Sequence, residues 1–281
     1  MNRSTPIGVF DSGVGGLTVL RAIRRELPAE NAIYFADQAH VPYGGRQIAE
    51  IQDYSERITA FLLQHGCKLI VVACNTASAA ALKYLRDRFA GVPFVGMEPA
   101  VKPAVARTKT GKIGVLATPA TFQGELYASI VGRFAAGITL HQSSCPGLVT
   151  QVERGDLESP RTHAILAEAL LPMLSAGIDT VVLGCTHYPF AIPQIRRIVG
   201  PGVEVIDPAP AVARQVSRLL TSRSLRSIDG GQGEFEFFSS GPPARLQGLL
   251  PRLLGEPAAV GSVEWGPRGE LKEPSQVVSV P

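Results

Sequence analysis

Two apolar runs that end in cysteine constrain the fold of this chain most strongly. Leu69 to Ala73 leads into Cys74-Asn75-Thr76, and Thr180 to Gly184 leads into Cys185-Thr186-His187. Such runs are typical of strands that are buried on both faces of a parallel sheet. Open α/β sheets place their ligands at the carboxyl ends of these strands. We therefore expect the two cysteines to share one cleft.

The chain also repeats one pattern. Ile7 to Ser12 matches Ile113 to Thr118 at an offset of 106 (113 minus 7), and Cys185 follows Cys74 at an offset of 111 (185 minus 74). Alternating apolar runs and helical spacings predict an internally duplicated α/β fold with parallel sheets and right-handed crossovers. We expect strands at 7–10, 32–36, 69–73, 92–97, 113–118, 138–141, 180–184, 203–206 and 234–239, and helices at 17–27, 48–63, 75–82, 163–174 and 208–220.

A glycine-rich turn, Asp11 to Gly16, joins the first predicted strand to the first predicted helix. A dinucleotide-binding loop would have a third glycine where this chain has Thr18, so the turn departs from that pattern. The glycines would let the backbone approach a small ligand, with Asp11 and Ser12 free to act on it. The structural alternative is that Asp11 and Ser12 cap the helix.

The composition is that of a globular protein of one or two domains. The 281 residues are 45% hydrophobic and 18% charged, and 27 basic against 24 acidic side chains give a net charge of +3. Arg21 to Arg25 is explained by the solvated face of a helix, and nothing else indicates nucleic-acid binding. No leader and no apolar run long enough for a membrane span is present, so we expect a cytoplasmic protein. Residues 266–281 are spaced by proline and glycine and are expected to be loose.

Cysteine chemistry gives the first functional hypothesis. The sequence has four cysteines without a CxxC pair, so we expect reduced thiols, with Cys67 and Cys145 as small buried hydrophobes. Cys74 precedes a helix-forming segment, whose dipole would favour the thiolate. If the halves close on one small molecule, one thiolate could remove a proton from a carbon atom while the other thiol returns one to the opposite face. That exchange inverts a stereocentre.

Other uses of these residues are open at this point. A zinc site from Cys74, Cys145, Cys185 and His187 is conceivable, although only Cys185 and His187 form a close pair. A Cys-His hydrolase would leave the second cysteine without a task. His187 could also be a hydrogen-bonded polar residue with no chemical role.

Five motifs carry a family resemblance. They are Asp11-Ser12-Gly13-Val14-Gly15-Gly16-Leu17, Pro42-Tyr43-Gly44, Ala73-Cys74-Asn75-Thr76-Ala77-Ser78, Ala117-Thr118-Pro119-Ala120-Thr121 and Leu183-Gly184-Cys185-Thr186-His187-Tyr188-Pro189. In this order the chain resembles the glutamate racemases of the cofactor-independent aspartate/glutamate racemase superfamily, from residue 7 to residue 254. The resemblance implies two pseudo-symmetric α/β domains, 1–97 plus 208–254 and 98–207, with the active site between them. Residues 255–281 would form a C-terminal extension, expected to be loose.

The resemblance also implies roles for individual residues, without pyridoxal phosphate or metal. Cys74 would deprotonate D-glutamate and Cys185 L-glutamate, assisted by Asp11 and His187, with Glu153 as a further acidic helper. The substrate-binding residues would be Asp11, Ser12, Tyr43, Gly44, Asn75, Thr76, Thr118, Thr121, Thr186 and His187.

The biological role implied by the family is the supply of D-glutamate for bacterial peptidoglycan, by a protein that commonly forms homodimers. Two alternatives remain at this point. A related racemase acting on aspartate or a hydantoin would share both cysteines. A binding protein that restrains DNA gyrase would use the same fold for a different purpose.

Overall fold

The computed structural model describes residues 5–227 and 231–273. Its strands are β1 (Ile7–Asp11), β2 (Ala32–Ala36), β3 (Leu69–Val72), β4 (Phe94–Val95), β5 (Lys112–Ala117), β6 (Thr139–Ser143), β7 (Thr180–Gly184), β8 (Glu204–Ile206), β9 (Phe235–Ser239), β10 (Gly261–Ser262), β11 (Glu264–Trp265) and β12 (Leu271–Lys272). Its α-helices are α1 (Leu17–Glu26), α2 (Ile48–Gln64), α3 (Asn75–Arg88), α4 (Val101–Val105), α5 (Pro119–Gln123), α6 (Glu125–Phe134), α7 (Leu148–Glu153), α8 (Pro160–Ser175), α9 (Ile192–Val199), α10 (Ala209–Ser222) and α11 (Pro243–Leu253). Short 3₁₀ turns cover Tyr43–Gly45 and Tyr188–Ala191.

The strands form two parallel sheets flanked by helices, so the fold class is α/β. The first sheet has six strands in the order β10-β9-β2-β1-β3-β4, and the second has four in the order β6-β5-β7-β8. Every pair within these two sheets is parallel. Strands β11 and β12 pair separately as an antiparallel hairpin.

The two sheets repeat one topology, as the sequence offsets predict. The order β2-β1-β3-β4 in the first sheet corresponds to β6-β5-β7-β8 in the second. In each half the first strand of the chain, β1 or β5, lies between the second and the third. Cys74 follows β3 and Cys185 follows β7, so both cysteines come directly after the third strand of their half. The carboxyl ends of β1 and β5 lie beside them, because β1 pairs with β3 and β5 with β7.

Successive side chains of a strand point to opposite faces of the sheet, and this alternation determines which helices each strand residue packs against. In β3, Leu69 and Val71 pack on the side of α1, α10 and α11, whereas Ile70 and Val72 pack on the side of α2 and α3. In the second sheet the same alternation separates Val181, which faces α8 and α9, from Val182, which faces α4 and α6. Both faces of the central strands are thus covered, which is why β3 is apolar throughout and β7 is apolar over most of its length.

The expectation of a loose C-terminal extension is wrong for residues 261–272. Strand β10 extends the first sheet beyond β9, Val263 is fully buried, and β11 and β12 form a hairpin whose Leu271 packs against the cluster that contains α2. Its strands are only two residues long, too short for periodicity to reveal. Residues 274–281 lie outside the described part of the chain.

The remaining predicted elements agree with the observed ones within a few residues, except that α3 runs six residues past its predicted end, to Arg88. Six helices, α4 to α7, α9 and α11, have no counterpart among the predicted helices. Strand β4 is shorter than expected, at Phe94–Val95. None of the helices in the described ranges combines the length and apolar character needed to cross a membrane.

Asp179 stabilises the polar segment that begins the second half. Its carboxylate accepts hydrogen bonds from Thr108 Oγ1 at 2.6 Å, from the Thr110 amide at 2.8 Å and from the Lys109 amide. Burial alone would raise the pKa of Asp179, but these bonds and one from Thr180 lower it to about 2. The ionised carboxylate thus ties β7 to the approach to β5.

We predict that Asp179→Asn lowers the free energy of unfolding by about 1–2 kcal/mol at neutral pH, because charged hydrogen-bond acceptors contribute about that much. The folded pKa lies below the unfolded value near 3.9, so the stabilisation is present above about pH 4 and is lost as the pH falls toward 2. Urea unfolding at several pH values measures it, with the exposed Asp87→Asn as control. If the difference in free energy of unfolding between the wild type and Asp179→Asn stayed the same as the pH is lowered, the result would contradict this account.

Candidate active site

Cys74 and Cys185 line one small cavity between the two halves. Its walls also contain Ser12, Pro42, Tyr43, Gly44, Asn75, Thr76, Thr118, Val149, Thr186 and His187, and its volume is about 20 Å³. A cavity of this size holds about one water molecule, so the halves must move apart to admit a larger ligand. A cavity of about 530 Å³, lined by residues from 82 to 103, 130 to 134 and 208 to 218, contains no cysteine in its wall. Because the candidate bases are the two cysteines, the smaller cavity is the candidate active site.

Cys74 is the N-cap residue of α3. The Ala77 amide donates to its Sγ at 3.5 Å, and Ser12 Oγ lies 3.9 Å from the sulfur. Burial, and then the Asp11 carboxylate, raise the pKa of Cys74 well above its ordinary value, and the Ala77 N–H only partly offsets them. The helix start favours the Cys74 thiolate through the Ala77 N–H, as expected, but in the closed cleft desolvation and the Asp11 carboxylate outweigh that contribution.

Asp11 lies at the carboxyl end of β1 and is fully buried. It accepts hydrogen bonds from the Gly16 amide at 2.6 Å and the Ser12 amide at 2.8 Å, and from Thr186 Oγ1 of the other half at 3.3 Å. Burial raises the pKa of Asp11, although the charge of His187 and a hydrogen bond with Cys74 act in the opposite direction. A carboxylate with a raised pKa beside a thiol is a suitable proton acceptor for it.

His187 connects Cys185 to a buried carboxylate. Its Nδ1 lies 3.9 Å from Cys185 Sγ, and its Nε2 lies 2.8 Å from Glu153 Oε1. Burial alone would lower the pKa of His187, but its hydrogen bonds to Cys185 and Glu153 raise it well above the ordinary value. Burial would raise the pKa of Glu153, yet the bond from His187 holds it below its ordinary value. Both shifts favour an imidazolium paired with a carboxylate, an arrangement in which the Nδ1–H would face the Cys185 sulfur.

Glu153 lies behind His187 and does not line the cavity. Its carboxylate accepts hydrogen bonds from the Val14 amide at 2.7 Å and from Gln38 Nε2 at 3.0 Å, and it lies 3.5 Å from an Arg245 nitrogen. These three partners belong to the first half, whereas Glu153 and His187 belong to the second. Glu153 therefore holds the two halves together and orients His187.

The glycine-rich turn lets these side chains approach its backbone. A Cβ atom at Gly13 would lie 1.9 Å from Glu153 Oε1, and one at Gly15 would lie 2.5 Å from His187 Nδ1. The turn thus packs against side chains of the other half, and this close contact accounts for its glycines without a phosphate ligand. Asp11 does bind the Gly16 amide at the start of α1, so the capping alternative accounts for part of its role.

Hydroxyl and amide groups make up the rest of the cavity wall. Thr76 Oγ1 lies 2.9 Å from Thr118 Oγ1, which lies 3.0 Å from Thr121 Oγ1, so this chain of hydroxyls crosses between the halves. Both polar side-chain atoms of Asn75 are buried and have no hydrogen-bond partner among residues 5–227 and 231–273. An amide in that state is prepared to bind a ligand.

Three predicted site residues, Asp11, Thr121 and Glu153, do not line the cavity, and two residues that do line it have no predicted role. Thr121 lies behind Thr118, and the Tyr43 hydroxyl donates to Asp37 rather than into the cavity. Pro42 and Val149 line the cavity unpredicted. Pro42 lies in the Pro42-Tyr43-Gly44 motif, whereas Val149 lies on α7, a helix of six residues that the sequence pattern does not reveal.

The competing interpretations of the cysteines have little geometric support. No three Cys, His, Asp or Glu side chains come together as metal ligands in the part of the chain that the structure describes. Cys67 and Cys145 are buried, and burial raises the pKa of each thiol to about 12, as expected for small hydrophobes.

Comparisons of the sequence and of the structure with known proteins all match one family of racemases. Residues 7–216 match the family described as Asp/Glu/Hydantoin racemase. A glutamate racemase of Roseiflexus sp. is 51% identical over 249 residues, covering 88% of this chain and 92% of that relative. A crystal structure of a glutamate racemase isoform from Bacillus anthracis, 34% identical, superposes with a TM-score of 0.84 and covers 94% of this chain and 98% of its own. The glutamate racemase of Francisella tularensis in complex with D-glutamate, 30% identical, gives a TM-score of 0.81 with the same coverage.

We predict that Gly15→Ala lowers the free energy of unfolding by about 1–3 kcal/mol, because its new methyl group would overlap His187, Thr186 and Asp11 side-chain atoms. Gly45→Ala is the matched control, since nothing lies within 4 Å of a Cβ atom there. Urea unfolding of both variants makes the comparison. Equal stability of the two would mean that the turn does not need its glycine.

We predict that Glu153→Gln lowers the pKa of His187, because the carboxylate is one of the groups that raise it. Imidazole nitrogen chemical shifts measured by NMR across a pH titration follow this directly, in a protein with five histidines. Glu158→Gln, an exposed change in the same region, is the control. An unchanged His187 titration in Glu153→Gln would refute the imidazolium–carboxylate pair.

Proposed function

The chain belongs to the Asp/Glu/Hydantoin racemase family and is an amino-acid racemase, and we propose that it interconverts L- and D-glutamate with Cys74 and Cys185 as its two bases. One observation supports this assignment of the bases above all. The two cysteines follow equivalent strands of the two halves and line the same cavity, each with its own ionisable partner. Aspartate is not favoured as substrate, because the relatives reported above are named glutamate racemases.

The proton transfers run in opposite directions for the two enantiomers. With D-glutamate, the Cys74 thiolate takes the Cα proton, so that a C–H bond breaks, an S–H bond forms and the electron pair passes toward the α-carboxylate. The Cys185 thiol then gives its proton to the opposite face of Cα, which breaks its S–H bond and forms the C–H bond of L-glutamate. The enzyme is left with a Cys74 thiol and a Cys185 thiolate, the form that accepts L-glutamate.

Each cysteine has a group that handles its proton. The high pKa of Cys74 means that its proton must be removed, and Asp11, whose pKa is raised by burial, is the acceptor. The positive α-ammonium group of a bound amino acid would further favour the thiolate. On the other side, His187 donates its Nδ1–H toward the Cys185 sulfur and is held in the charged form by Glu153.

Neutral donors bind the substrate. The cavity wall contains no arginine or lysine, so the carboxylates would be bound by hydroxyls of Ser12, Thr76, Thr118 and Thr186, by the Asn75 amide and by backbone N–H groups. The α3 N-terminus at Cys74 adds its dipole to that set. Donors fixed in place stabilise the charge that develops on the carboxylate as the proton leaves. Closure of the halves around the substrate would exclude water.

We propose the domain division 1–97 plus 208–254 and 98–207. The membership of the two sheets supports it, except that β10 (Gly261–Ser262) adds the C-terminal segment to the first domain. The family supports a role in supplying D-glutamate for peptidoglycan in the cytoplasm. A homodimer remains a proposal, which light scattering of the purified protein tests. A restraint of DNA gyrase is not favoured by the comparisons.

We predict that Cys74→Ala and Cys185→Ala each lower the racemisation rate by at least about 10²- to 10⁴-fold, the contribution of one positioned acid–base group. Proton NMR with glutamate in D₂O, combined with chiral analysis, follows exchange and inversion together. Cys74→Ala should still exchange the Cα proton of L-glutamate without inverting it, and Cys185→Ala that of D-glutamate.

Cys67→Ala, a buried cysteine outside the cavity, controls for the loss of a thiol as such. Full racemisation by either cavity variant would exclude the two-base mechanism. Wild-type protein that neither exchanges nor inverts glutamate would exclude the proposed substrate.

A further inference from the structure

Asp37 is a buried carboxylate outside the groups assigned to the reaction. It directly follows β2, and its exposed fraction is 0%. Its Oδ2 accepts a hydrogen bond from Tyr43 Oη at 2.6 Å, and its Oδ1 accepts one from Ser240 Oγ at 2.6 Å and one from Trp265 Nε1 at 2.9 Å. His40 Nδ1 lies 3.0 Å from Oδ2. An unpaired buried carboxylate is costly, and here side-chain donors surround it.

The donors come from separate parts of the chain. His40 and Tyr43 belong to the segment after β2, Ser240 follows β9, and Trp265 lies in β11, 228 residues from Asp37. Trp265 is held in place by its own segment, because β10 pairs with β9 and the neighbouring Val263 amide donates to the Ser239 carbonyl at 3.0 Å. The C-terminal hairpin thus reaches the base of the active-site loop through one indole N–H.

The loop that Asp37 anchors is a wall of the cavity. Pro42, Tyr43 and Gly44 line it, and the Tyr43 side chain is 1% exposed. Across the cleft, a Cβ atom at Gly44 would lie 3.1 Å from Thr118 Cβ. Because Gly44 meets the second half this closely, a small shift of Tyr43 changes the fit between the loop and Thr118.

We propose that Asp37 and Trp265 are positioning residues for the active-site loop. Asp37 fixes the Tyr43 hydroxyl and with it the wall formed by Pro42 to Gly44, and Trp265 fixes the Asp37 carboxylate from the C-terminal hairpin. The inference rests on the proposed function insofar as it concerns glutamate turnover. It gives the C-terminal segment, which lies beyond the motifs of the family, a part in substrate binding.

The aromatic surroundings of Trp265 allow a conservative test. Its ring centroid lies 4.9 Å from that of His40 and 5.4 Å from that of Tyr54, both edge-on, while His40 stacks on Tyr54 at 3.9 Å. Phenylalanine keeps an aromatic ring at this position, although a smaller one, and lacks the N–H. Trp265→Phe therefore removes the hydrogen bond to Asp37 while keeping an aromatic contact with His40 and Tyr54.

Steady-state kinetics separate positioning from a loss of folded protein. We expect Trp265→Phe to raise the KM for glutamate by about tenfold, the effect of one hydrogen bond to a charged group. A merely destabilised enzyme would lose active protein, which lowers kcat and leaves KM unchanged. Glu273→Gln is the matched control, because it removes the charge from another polar contact of this segment, that of Glu273 with His65 on the carboxyl side of α2, without touching Asp37. We expect the control to keep the wild-type KM.

A double variant tests whether Trp265 acts through Tyr43. Tyr43→Phe removes the hydroxyl that Asp37 holds. If the two residues act through one carboxylate, the KM of Tyr43→Phe/Trp265→Phe should rise by less than the product of the two single effects. Independent, multiplicative effects would overturn the link.

Alkylation of cysteine tests the inference without turnover. Iodoacetamide labelling, followed by mass spectrometry of the Cys74 and Cys67 peptides, compares a cavity thiol with a core thiol in the same molecule. We expect Trp265→Phe to speed labelling of Cys74 several-fold and to leave Cys67 unchanged, because only the loop wall loosens. Equal acceleration of both thiols, or of neither, would overturn the proposal. A wild type without glutamate racemase activity would refute the proposed function, while the labelling would still decide the role of Trp265.

Discussion

The closed cleft depends on the burial of the Glu153 carboxylate between the two halves. Removing such a charge from water costs several kcal/mol, so it is tolerated only where hydrogen-bond donors surround it. Here the donors come from both halves, the Val14 amide and Gln38 from one and His187 from the other. Opening the cleft would separate these partners. The same carboxylate that joins the two halves also contacts His187, which lies beside Cys185, so one buried group links the closed arrangement to the surroundings of that thiol.

The repeated topology places two thiols in equivalent positions but surrounds them differently. Cys74 lies beside a buried carboxyl group, Asp11, and Cys185 beside an imidazolium, His187. A carboxylate accepts a proton from a thiol, whereas an imidazolium stabilises a thiolate that has already formed. The two halves therefore supply opposite electrostatic environments on the two sides of one cavity. In the two-base mechanism that we propose, each thiol would serve as base for one enantiomer and as acid for the other, so the two thiols do not need mirror-image surroundings.

The sequence allowed the fold class, the order of the main strands and the convergence of both cysteines to be predicted, because these follow from apolar periodicity and from the geometry of parallel sheets. Periodicity did not reveal β10 to β12, whose strands have two residues each, or short helices such as α7. The helix start that favours the Cys74 thiolate could be predicted from the sequence, whereas the burial and the Asp11 carboxylate that outweigh it depend on the tertiary structure. Asp37 and Trp265, 228 residues apart, could not be connected from spacing at all.

Trp265 is the only tryptophan in the sequence. The ultraviolet emission of the folded protein excited at the red edge of its absorption therefore arises from a single indole, whose N–H is bonded to the Asp37 carboxylate beside the active-site loop. The excited state of indole is strongly dipolar, so its emission wavelength responds to the charge next to it. The molecule thus contains an intrinsic fluorescent probe, two hydrogen bonds away from Tyr43 in the cavity wall, and it needs no added dye.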